Sequence, residues 1–224
     1  MEADPGIPSV RTSACEGGYS IQVVPRAIEV NQAALREEIR KEYRAVASDP
    51  QKGFHFHTGR RLAEIVKYRE EWLRDVPAPV LASFAGTGNP FSIAPLMKGE
   101  RVVDLGCGAG IDSFIAARMV GPEGAVCGVD MTEEMLEKAQ QAQAPSGLPQ
   151  LRFARGFLED LPIEDGWADV VISNGAINLS PNKYKVFREI HRVLRPGGRT
   201  QIGDIVVQRP VSDAAKKRID LWTG

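Results

Sequence analysis

The chain has 224 residues, 43% of them hydrophobic and 25% charged, which suits one large domain or one domain with a small appendage. Its 28 basic and 29 acidic residues nearly cancel, so no basic field exists to attract nucleic acid or an anionic membrane surface. Three cysteines argue against a disulfide framework, and neither a signal-peptide pattern nor an apolar run of roughly 18 residues is found. We therefore expect a cytoplasmic globular protein with no nucleic-acid or membrane partner.

The first part of the chain, residues 1–75, predicts an arm followed by a helical cap. Residues 1–28 are rich in Gly, Pro and Ser and have no sustained hydrophobic period, which favours a poorly ordered arm or an extended lid. Asn31 is typical of an N-cap, and apolar residues then recur at helical spacing. The predicted elements here are a helix over 31–47 and a second helical stretch over 60–73. A glycine-rich loop at 86–90 follows the predicted cap.

From residue 99 onward, strands alternate with helices, the pattern of a parallel sheet with right-handed crossovers. This pattern predicts an α/β core over residues 76–224 with a Rossmann-like, doubly wound parallel sheet. The last helical stretch, about 212–222, is followed by no further strand, so we expect the C-terminal strands of such a core to be missing and one sheet edge to be open or covered by a partner. The predicted strands are 101–105, 125–130, 151–155, 168–173 and 199–206, and the predicted helices are 112–120, 133–142 and 183–194.

The main functional signal is a glycine-rich loop between the first strand and the first helix of this core. It reads Asp104-Leu105-Gly106-Cys107-Gly108-Ala109-Gly110, and its alternate glycines allow a tight turn and let a ligand touch the backbone. Twenty residues after the last glycine, Asp130 ends the next strand. A carboxylate at that place can accept hydrogen bonds from both hydroxyls of a ribose, so the pattern predicts a nucleoside site.

The residues of this loop favour S-adenosylmethionine over a dinucleotide. A dinucleotide fingerprint reads G-x-G-x-x-G, whereas this loop reads G-x-G-x-G, and it lacks the Gly-Lys-Ser/Thr ending of a P-loop. The Asp104 carboxylate would repel a pyrophosphate but suits a ligand that carries an ammonium and a sulfonium. A nicotinamide-dependent reductase is also disfavoured because Tyr184 is followed four residues later by Arg188 instead of a lysine.

Four segments resemble class I S-adenosylmethionine-dependent methyltransferases: residues 104–110, 128–131, 156–162 and 194–198. The resemblance implies that Asp104 and the loop Gly106 to Gly110 line the methionine and the sugar, and that Asp130 binds the ribose. It places Met131, Phe157 and Leu158 against the adenine. Many relatives have an aspartate at the position of Phe157, so here backbone groups and packing would hold the adenine.

Further segments, residues 11–15, 86–90, 130–139 and 171–183, are similar to arsenite methyltransferases in particular. The family binds trivalent arsenic with cysteine thiolates, a pairing of soft ion and soft ligand. Cys15 matches one of the family's cysteines, but Gly175 stands where another follows the Ser-Asn of the fourth strand, and a third would align at or just past residue 224. The resemblance thus implies methyl transfer to a small-molecule acceptor, and it favours an acceptor other than arsenite.

Methyl transfer to a lone-pair nucleophile needs alignment and exclusion of water more than it needs a general base. Asn174 follows the fourth strand, where it either faces the cofactor methyl group or caps the turn. Gly175 would leave room for a larger acceptor, and His55 is a candidate contact from the lid or a simple turn residue. No metal site is predicted. The candidates on the substrate side are Cys15, His55, His57, Asn89, Gly175 and Asn178.

Two functional interpretations stay open at this point. The first is a small-molecule methyltransferase with a helical cap over its cofactor. The second is a module that binds the cofactor without catalysis, an interpretation that Gly175 and the abrupt end of the chain make plausible. Binding of S-adenosylmethionine without turnover would distinguish the second from the first.

Overall fold

The computed structural model describes residues 10–15, 18–23, 30–208, 211–212, 215, 218–219 and 222. Its first elements are two strands, β1 (Val10–Cys15) and β2 (Gly18–Val23), which pair as an antiparallel hairpin. The sequence predicted an irregular arm or an extended lid here, so the regular pairing is a correction. Its signal was present in the β-branched and aromatic residues of both segments, which favour strands.

Four helices follow before the sheet: α1 (Gln32–Ser48), α2 (Gly59–Ile65), α3 (Glu70–Leu73) and α4 (Ala78–Ala82). The predicted cap of α1 is confirmed, since the Asn31 side-chain oxygen accepts a hydrogen bond from the Ala34 amide at 3.1 Å. The prediction of one helical stretch over 60–73 was wrong. The chain turns between α2 and α3, where Lys67 takes a φ of 63°, a value that a helix does not allow.

The core confirms the predicted alternation of strands and helices. Its elements are β3 (Arg101–Leu105), α5 (Ile111–Val120), β4 (Ala125–Asp130), α6 (Glu133–Gln143), β5 (Leu151–Arg155), β6 (Ala168–Asn174), α7 (Lys183–Val193) and β7 (Leu194–Gly203). The five strands are parallel in the order β5-β4-β3-β6-β7. The strand predicted at 199–206 instead begins at Leu194, which pairs with Ala168 before a register shift. The helix predicted over 212–222 lies largely outside the described residues.

The strand order reverses direction between β3 and β6, and this reversal creates the place for a site. The chain leaves β3 toward β4 and β5 on one side and later returns to build β6 and β7 on the other. The loops that follow β3 and β6 therefore separate and leave a crevice beyond the carboxyl ends of the strands, which is where open parallel sheets bind their ligands.

Two layers of apolar side chains cover the sheet. On one face, α5 and the N-terminal helices share a continuous core in which Val46, Leu73 and Phe114 are almost fully buried. On the other face, α7 contributes Val186 and Ile190. The first of these two cores contains buried residues from both sides of residue 75. The boundary between cap and core that the sequence predicts at this residue therefore stays a prediction. In the described part of the chain, no helix is long and apolar enough to cross a membrane.

A buried glutamine ties β7 to the segment that precedes β3. Gln201 is fully buried, and its side-chain amide donates hydrogen bonds to the Pro90 carbonyl at 3.0 Å and the Ala94 carbonyl at 2.9 Å. Its side-chain oxygen accepts a hydrogen bond from Arg199 at 3.0 Å. Removal of this amide would leave buried carbonyl groups without a donor, which is more unfavourable than the loss of an exposed hydrogen bond.

We expect Gln201→Ala to lower the free energy of unfolding by about 2 kcal/mol or more, because it combines a buried cavity with unpaired carbonyl groups. Urea denaturation followed by circular dichroism measures this change. The control is Gln141→Ala on the exposed face of α6, for which a change within about 0.5 kcal/mol is expected. Equal effects of the two substitutions would contradict the role given to Gln201.

Candidate active site

A cleft of about 980 Å³, a volume that includes its open mouth, lies at the carboxyl edge of the sheet. The loops after β3, β4, β5 and β6 form its floor, and α1 with the end of α4 and the residues after it form its roof. From the sheet side the lining residues include Asp104, Gly106 to Asp112, Asp130 to Thr132, Gly156 to Glu159 and Asn174 to Ala176. The N-terminal helices and the sheet thus build this cleft together.

The glycine loop turns sharply because the loop after β6 lies against it. Gly106 has a φ of 68°, and a Cβ atom at this position would lie 2.3 Å from the Cβ of Ala176. The amides of Gly106 and Cys107 donate to the Val129 carbonyl at 2.8 and 3.1 Å, which anchors the loop to β4. Glycine is therefore required at position 106 by both the backbone angle and the close approach of a neighbouring loop.

Asp130 is held at the end of β4 by two backbone amides. One carboxylate oxygen accepts from Gly108 at 2.9 Å and the other from Thr132 at 2.7 Å. Burial raises the pKa of the Asp130 carboxyl, and these hydrogen bonds oppose the rise. The carboxylate is thereby fixed beside the glycine loop, with Met131 next to it on the wall of the cleft.

Two further carboxylates, Asp104 and Asp112, are buried next to each other below the loop, at 2% and 4% exposure. The Ser113 hydroxyl donates to Asp104 at 2.6 Å, and the Tyr68 hydroxyl donates to Asp112 at 2.5 Å. Burial raises the pKa of Asp104 well above its usual range, and the neighbouring Asp112 raises it further. Burial raises the pKa of Asp112 to about 6, against hydrogen bonds that lower it. Both carboxylates line the cleft.

At the far end of the cleft, α1 contacts the loop that follows β5. The Arg36 guanidinium lies 4.4 Å from the centroid of the Phe157 ring and 3.4 Å from the Glu159 carboxylate. Glu159 also accepts a hydrogen bond from the Ser180 hydroxyl at 2.6 Å. Leu158 lies on the same wall. A cation over an aromatic face and an ion pair together hold the start of α1 over the cleft.

The middle of α1 closes the cleft from above. Ile39 and Tyr43 line it, and burial of the Tyr43 phenol raises its pKa, with the Asp130 carboxylate adding to the rise. The end of α1 is held to α6, because the Lys138 ammonium donates to the Ala47 carbonyl and to the Ser83 hydroxyl. The helix is therefore attached at both ends, with an apolar and phenolic face toward the cleft.

Asn174 lies on the cleft wall, as predicted, but its side-chain amide is engaged by protein groups. Its oxygen accepts from the Thr87 and Gly88 amides at 2.8 and 2.9 Å, and its nitrogen lies within 3.1 Å of three acceptors. Contact between this side chain and a cofactor stays a prediction. The neighbouring Gly175 has a φ of 75°, and its Cβ position would lie 2.9 Å from Thr87. A side chain at position 175 would thus meet Thr87, and the expectation that Gly175 leaves room for a larger acceptor stays a prediction.

Of the other substrate-side candidates, those whose side chains the structure describes do not line the cleft. Asn89 caps a short 3₁₀ turn by accepting from the Phe91 amide at 3.1 Å. Asn178 donates its backbone amide to Asp204 at 3.1 Å. His55 and His57 are exposed, because the phenylalanines that alternate with them pack inward and turn both imidazoles to solvent. Cys15 ends β1, and its side chain lies outside what the structure describes.

Several lining residues were not singled out from the sequence. Asp112 could have been suspected, since an acid two residues after Gly110 falls in the first turn of α5, on the loop side. Tyr43 was visible only as part of the apolar spacing of α1. Arg36 gave no local signal, because it meets Glu159 over a long distance in sequence. The same holds for Tyr68, which is not one of the lining residues but donates a hydrogen bond to Asp112.

A parallel sheet with a glycine loop at its switch point and an acidic residue after the adjacent strand defines a Rossmann-like, nucleoside-binding class of fold. The sequence model of a methyltransferase-domain family matches residues 96–222, more than half of the chain. The chain therefore belongs to this methyltransferase-domain family.

Individual relatives agree with this assignment. The arsenite methyltransferase of Halobacterium salinarum is 47% identical over 139 residues, which cover 62% of this chain and 36% of that protein. That of Aquipseudomonas alcaligenes is 39% identical over 153 residues, covering 65% of this chain and 43% of the relative. A crystal structure of an arsenic (III) S-adenosylmethionine methyltransferase from Chlamydomonas reinhardtii matches with a TM-score of 0.62 at 40% identity, over 67% of this chain and 53% of that one. The chain spans well under half of the length of these two curated relatives.

The buried carboxylates make a prediction about stability. A carboxyl whose pKa is raised on folding binds its proton more tightly in the folded state, so its contribution to stability falls as pH rises from about 4 through the folded pKa. We expect Asp104→Asn to raise the unfolding free energy at pH 8 by roughly 1 kcal/mol, or about 2–4 °C in melting temperature.

The matched control is Asp169→Asn at the opposite edge of the sheet. There the Arg195 side chain and the Arg101 amide lower the pKa of the carboxyl despite burial, so its ionised form stabilises the fold. This variant should melt lower than the wild type at pH 8. Thermal melts of both variants and the wild type at pH 5 and pH 8 measure the direction of each change in melting temperature. A melting temperature of Asp104→Asn below that of the wild type at pH 8 would contradict the prediction.

Proposed function

We propose that this chain binds S-adenosylmethionine in the cleft and transfers the methyl group to a small-molecule acceptor. The observation that carries the proposal is the charge of the cleft. Among the described residues that line it, Asp104, Asp112, Asp130 and Glu159 carry carboxylates, and the guanidinium of Arg36 is paired with one of them. Such a cleft repels the pyrophosphate of a dinucleotide and attracts a ligand with positive charge.

The residues present fit this cofactor. Asp130, held beside the glycine loop by two amides, is placed to accept hydrogen bonds from ribose hydroxyls. The loop from Gly106 to Gly110 offers close backbone contact to the methionine and the sugar, and Met131, Phe157 and Leu158 offer apolar contact to the adenine. Burial disfavours the ionised form of Asp104. The ammonium group of a bound cofactor near this side chain would favour the ionised form.

When bound, the cofactor supplies a methyl group on a sulfonium, which is a strong electrophile. The contribution of the protein is to orient the acceptor and to exclude water. The roof formed by Ile39 and Tyr43 serves the second purpose, and its attachments at Arg36 and Lys138 keep it in place. The activity is thus proposed to depend on α1 as much as on the sheet.

The lining residues also limit the class of acceptor. Among the described residues that line the cleft none is a histidine, and burial raises the pKa of the Tyr43 phenol, so this phenol is not a base near neutral pH. The bases of the lining are carboxylates, and each of them already accepts a hydrogen bond from a protein group: Asp104, Asp112, Asp130 and Glu159. We infer that the acceptor brings its own lone pair, as an uncharged amine, a thiol or a trivalent arsenic compound does. A carboxylate acceptor would be repelled by the acidic lining.

Arsenite itself belongs to this class, and the names of the relatives support it as one candidate. The thiols of Cys107 and Cys127 are buried, and burial raises the pKa of both. Position 175, where the resemblance implies a cysteine, carries glycine. The described residues therefore do not supply a set of thiolates around the acceptor, and arsenic carried by thiols of the solution fits this cleft better than bare arsenite.

For the cofactor, we expect micromolar binding of S-adenosylmethionine in a calorimetric titration and no comparable binding of NADH. Asp130→Asn should weaken the binding tenfold or more, about 1.4 kcal/mol, because a neutral amide is a poorer acceptor for ribose hydroxyls. The control is Asp165→Asn, since this carboxylate is largely exposed and lies outside the cleft. Binding of NADH in place of S-adenosylmethionine, or equal affinities of the wild type and Asp130→Asn, would overturn the assignment.

For the acceptor, formation of S-adenosylhomocysteine should be measured with arsenite plus glutathione, with a simple thiol, with a primary amine, with a phenol and with a carboxylate. We expect turnover with a lone-pair acceptor and none with the carboxylate. A variant with both His55→Ala and His57→Ala should keep the turnover of the wild type, because both imidazoles point to solvent. Loss of turnover in this variant would contradict the inferred class, and binding without any turnover would favour the non-catalytic interpretation.

A further inference from the structure

The side-chain amide of Asn174 joins four separate parts of the chain. From the end of β6, its oxygen accepts hydrogen bonds from the backbone amides of Thr87 and Gly88 at 2.8 and 2.9 Å. Its nitrogen lies 2.9 Å from the Gly88 carbonyl, 3.0 Å from the Tyr68 hydroxyl and 3.1 Å from the Asp112 carboxylate. These partners belong to the loop before β3, the connection between α2 and α3, and α5.

Tyr68 and Asp112 fix which way this amide points. The Tyr68 hydroxyl donates to Asp112 at 2.5 Å, so it presents a lone pair to the nitrogen of Asn174. An ionised carboxylate only accepts hydrogen bonds, so Asp112 also requires the nitrogen on its side. The amide oxygen is left to face the loop, where two backbone N–H groups converge on it. A flipped amide would lose contacts on both sides.

The loop that Asn174 holds, residues 85–88, is part of the wall of the cleft and is called the cap loop below. Ala85 and Gly86 line the cleft, next to Asn174 and Gly175. A Cβ atom on Gly86 would lie 2.5 Å from the amide nitrogen of Asn174, so the loop rests directly on this side chain. Any displacement of the amide would therefore move this wall.

We propose that Asn174 is a positioning residue, whose amide, oriented by Tyr68 and Asp112, holds the cap loop as the cleft wall on the acceptor side. The hydrogen bonds between the Asn174 side chain and the cap loop are called the clamp below. The clamp follows from the contacts, and only its consequence for the acceptor rests on the proposed function. In this role Asn174 acts through the loop and not by direct contact with the cofactor. The phenol of Tyr68 extends the effect to the N-terminal helices, because its ring packs against Trp72 of α3 and against Phe84, which follows α4.

We expect the hydrogen bonds that hold the cap loop to depend on whether Asp112 is ionised. The titratable groups that face Asp112 are Tyr68 and, from β3, Asp104. Burial and the neighbouring Asp112 raise the pKa of Asp104 well above its usual range, while the Ser113 hydroxyl lowers it. Since burial raises the pKa of Asp112 to about 6 and the Tyr68 hydrogen bond lowers it, protonation below that pH would weaken the hydrogen bond from the Asn174 nitrogen, because a neutral carboxyl group is a poorer acceptor than a carboxylate. Removal of the Tyr68 hydroxyl would move this transition to higher pH.

The test follows the backbone amides of Thr87 and Gly88 by NMR, in the full chain without ligand. Asn174→Ala should accelerate their hydrogen exchange tenfold or more, and Tyr68→Phe at least threefold. In the wild type their chemical shifts should titrate with a midpoint near pH 6, and Tyr68→Phe should raise that midpoint. If Asn174→Ala does not fold, Tyr68→Phe still decides, because it removes a single hydroxyl and keeps the buried ring.

The matched control is Asn182→Ala. The side-chain oxygen of Asn182 also accepts a hydrogen bond from a backbone amide, that of Lys185, at 3.0 Å. This bond caps α7 and does not involve the cap loop. Its substitution should leave the exchange of Thr87 and Gly88 within twofold of the wild type. The matched pair therefore separates release of the clamp from a general loss of stability.

A second measurement, calorimetric titration with S-adenosylmethionine, separates positioning from direct binding. We expect Asn174→Ala to bind it within threefold of the wild type. Unchanged exchange at Thr87 and Gly88 in both variants would overturn the clamp, and a tenfold weaker affinity of Asn174→Ala would show direct binding and overturn the positioning role. If the wild type does not bind S-adenosylmethionine, the proposed function fails while the exchange data still decide whether the clamp exists.

Discussion

The burial of three carboxylates at one end of a parallel sheet is the constraint on which the rest of this structure depends. Asp104, Asp112 and Asp130 are removed from most of their water, which disfavours their charged forms. The fold offsets this with donors from five parts of the chain: a backbone amide of the glycine loop, another of the turn after β4, a serine hydroxyl, a phenol and a side-chain amide. Each donor fixes the element that carries it, so the electrostatics of the cleft and the packing around it have the same origin.

The N-terminal helices are part of this arrangement and not an independent addition. They deliver Tyr68 to the Asp112 carboxylate at the start of α5 and place the apolar face of α1 over the opening between β3 and β6. A cleft closed by a helix that is attached at both ends can exclude water once a ligand is inside. That property suits a reaction in which alignment matters and no proton has to be removed by the protein.

Gly175 shows how a position can be constrained without contact to a ligand. Its φ of 75° disfavours any side chain, and Thr87 occupies the space where one would begin. The resemblance to arsenite methyltransferases implies a thiol at this point of the fold, but here the backbone and the cap loop leave no room for it. Gly175 therefore shapes the wall of the cleft next to Asn174.

The sequence alone determined the class of the core, because strand and helix periods, caps and the glycine loop are local patterns. The three glycines and Asp130 stand close enough along the chain for their spacing to predict a nucleoside site. Only the tertiary structure decided that Asn174 holds a loop and that His55 and His57 face solvent. It also showed the long-range partners of Tyr68 and Arg36. Such contacts join residues tens of positions apart, and their formation depends on how helices pack on the sheet, which no local period encodes.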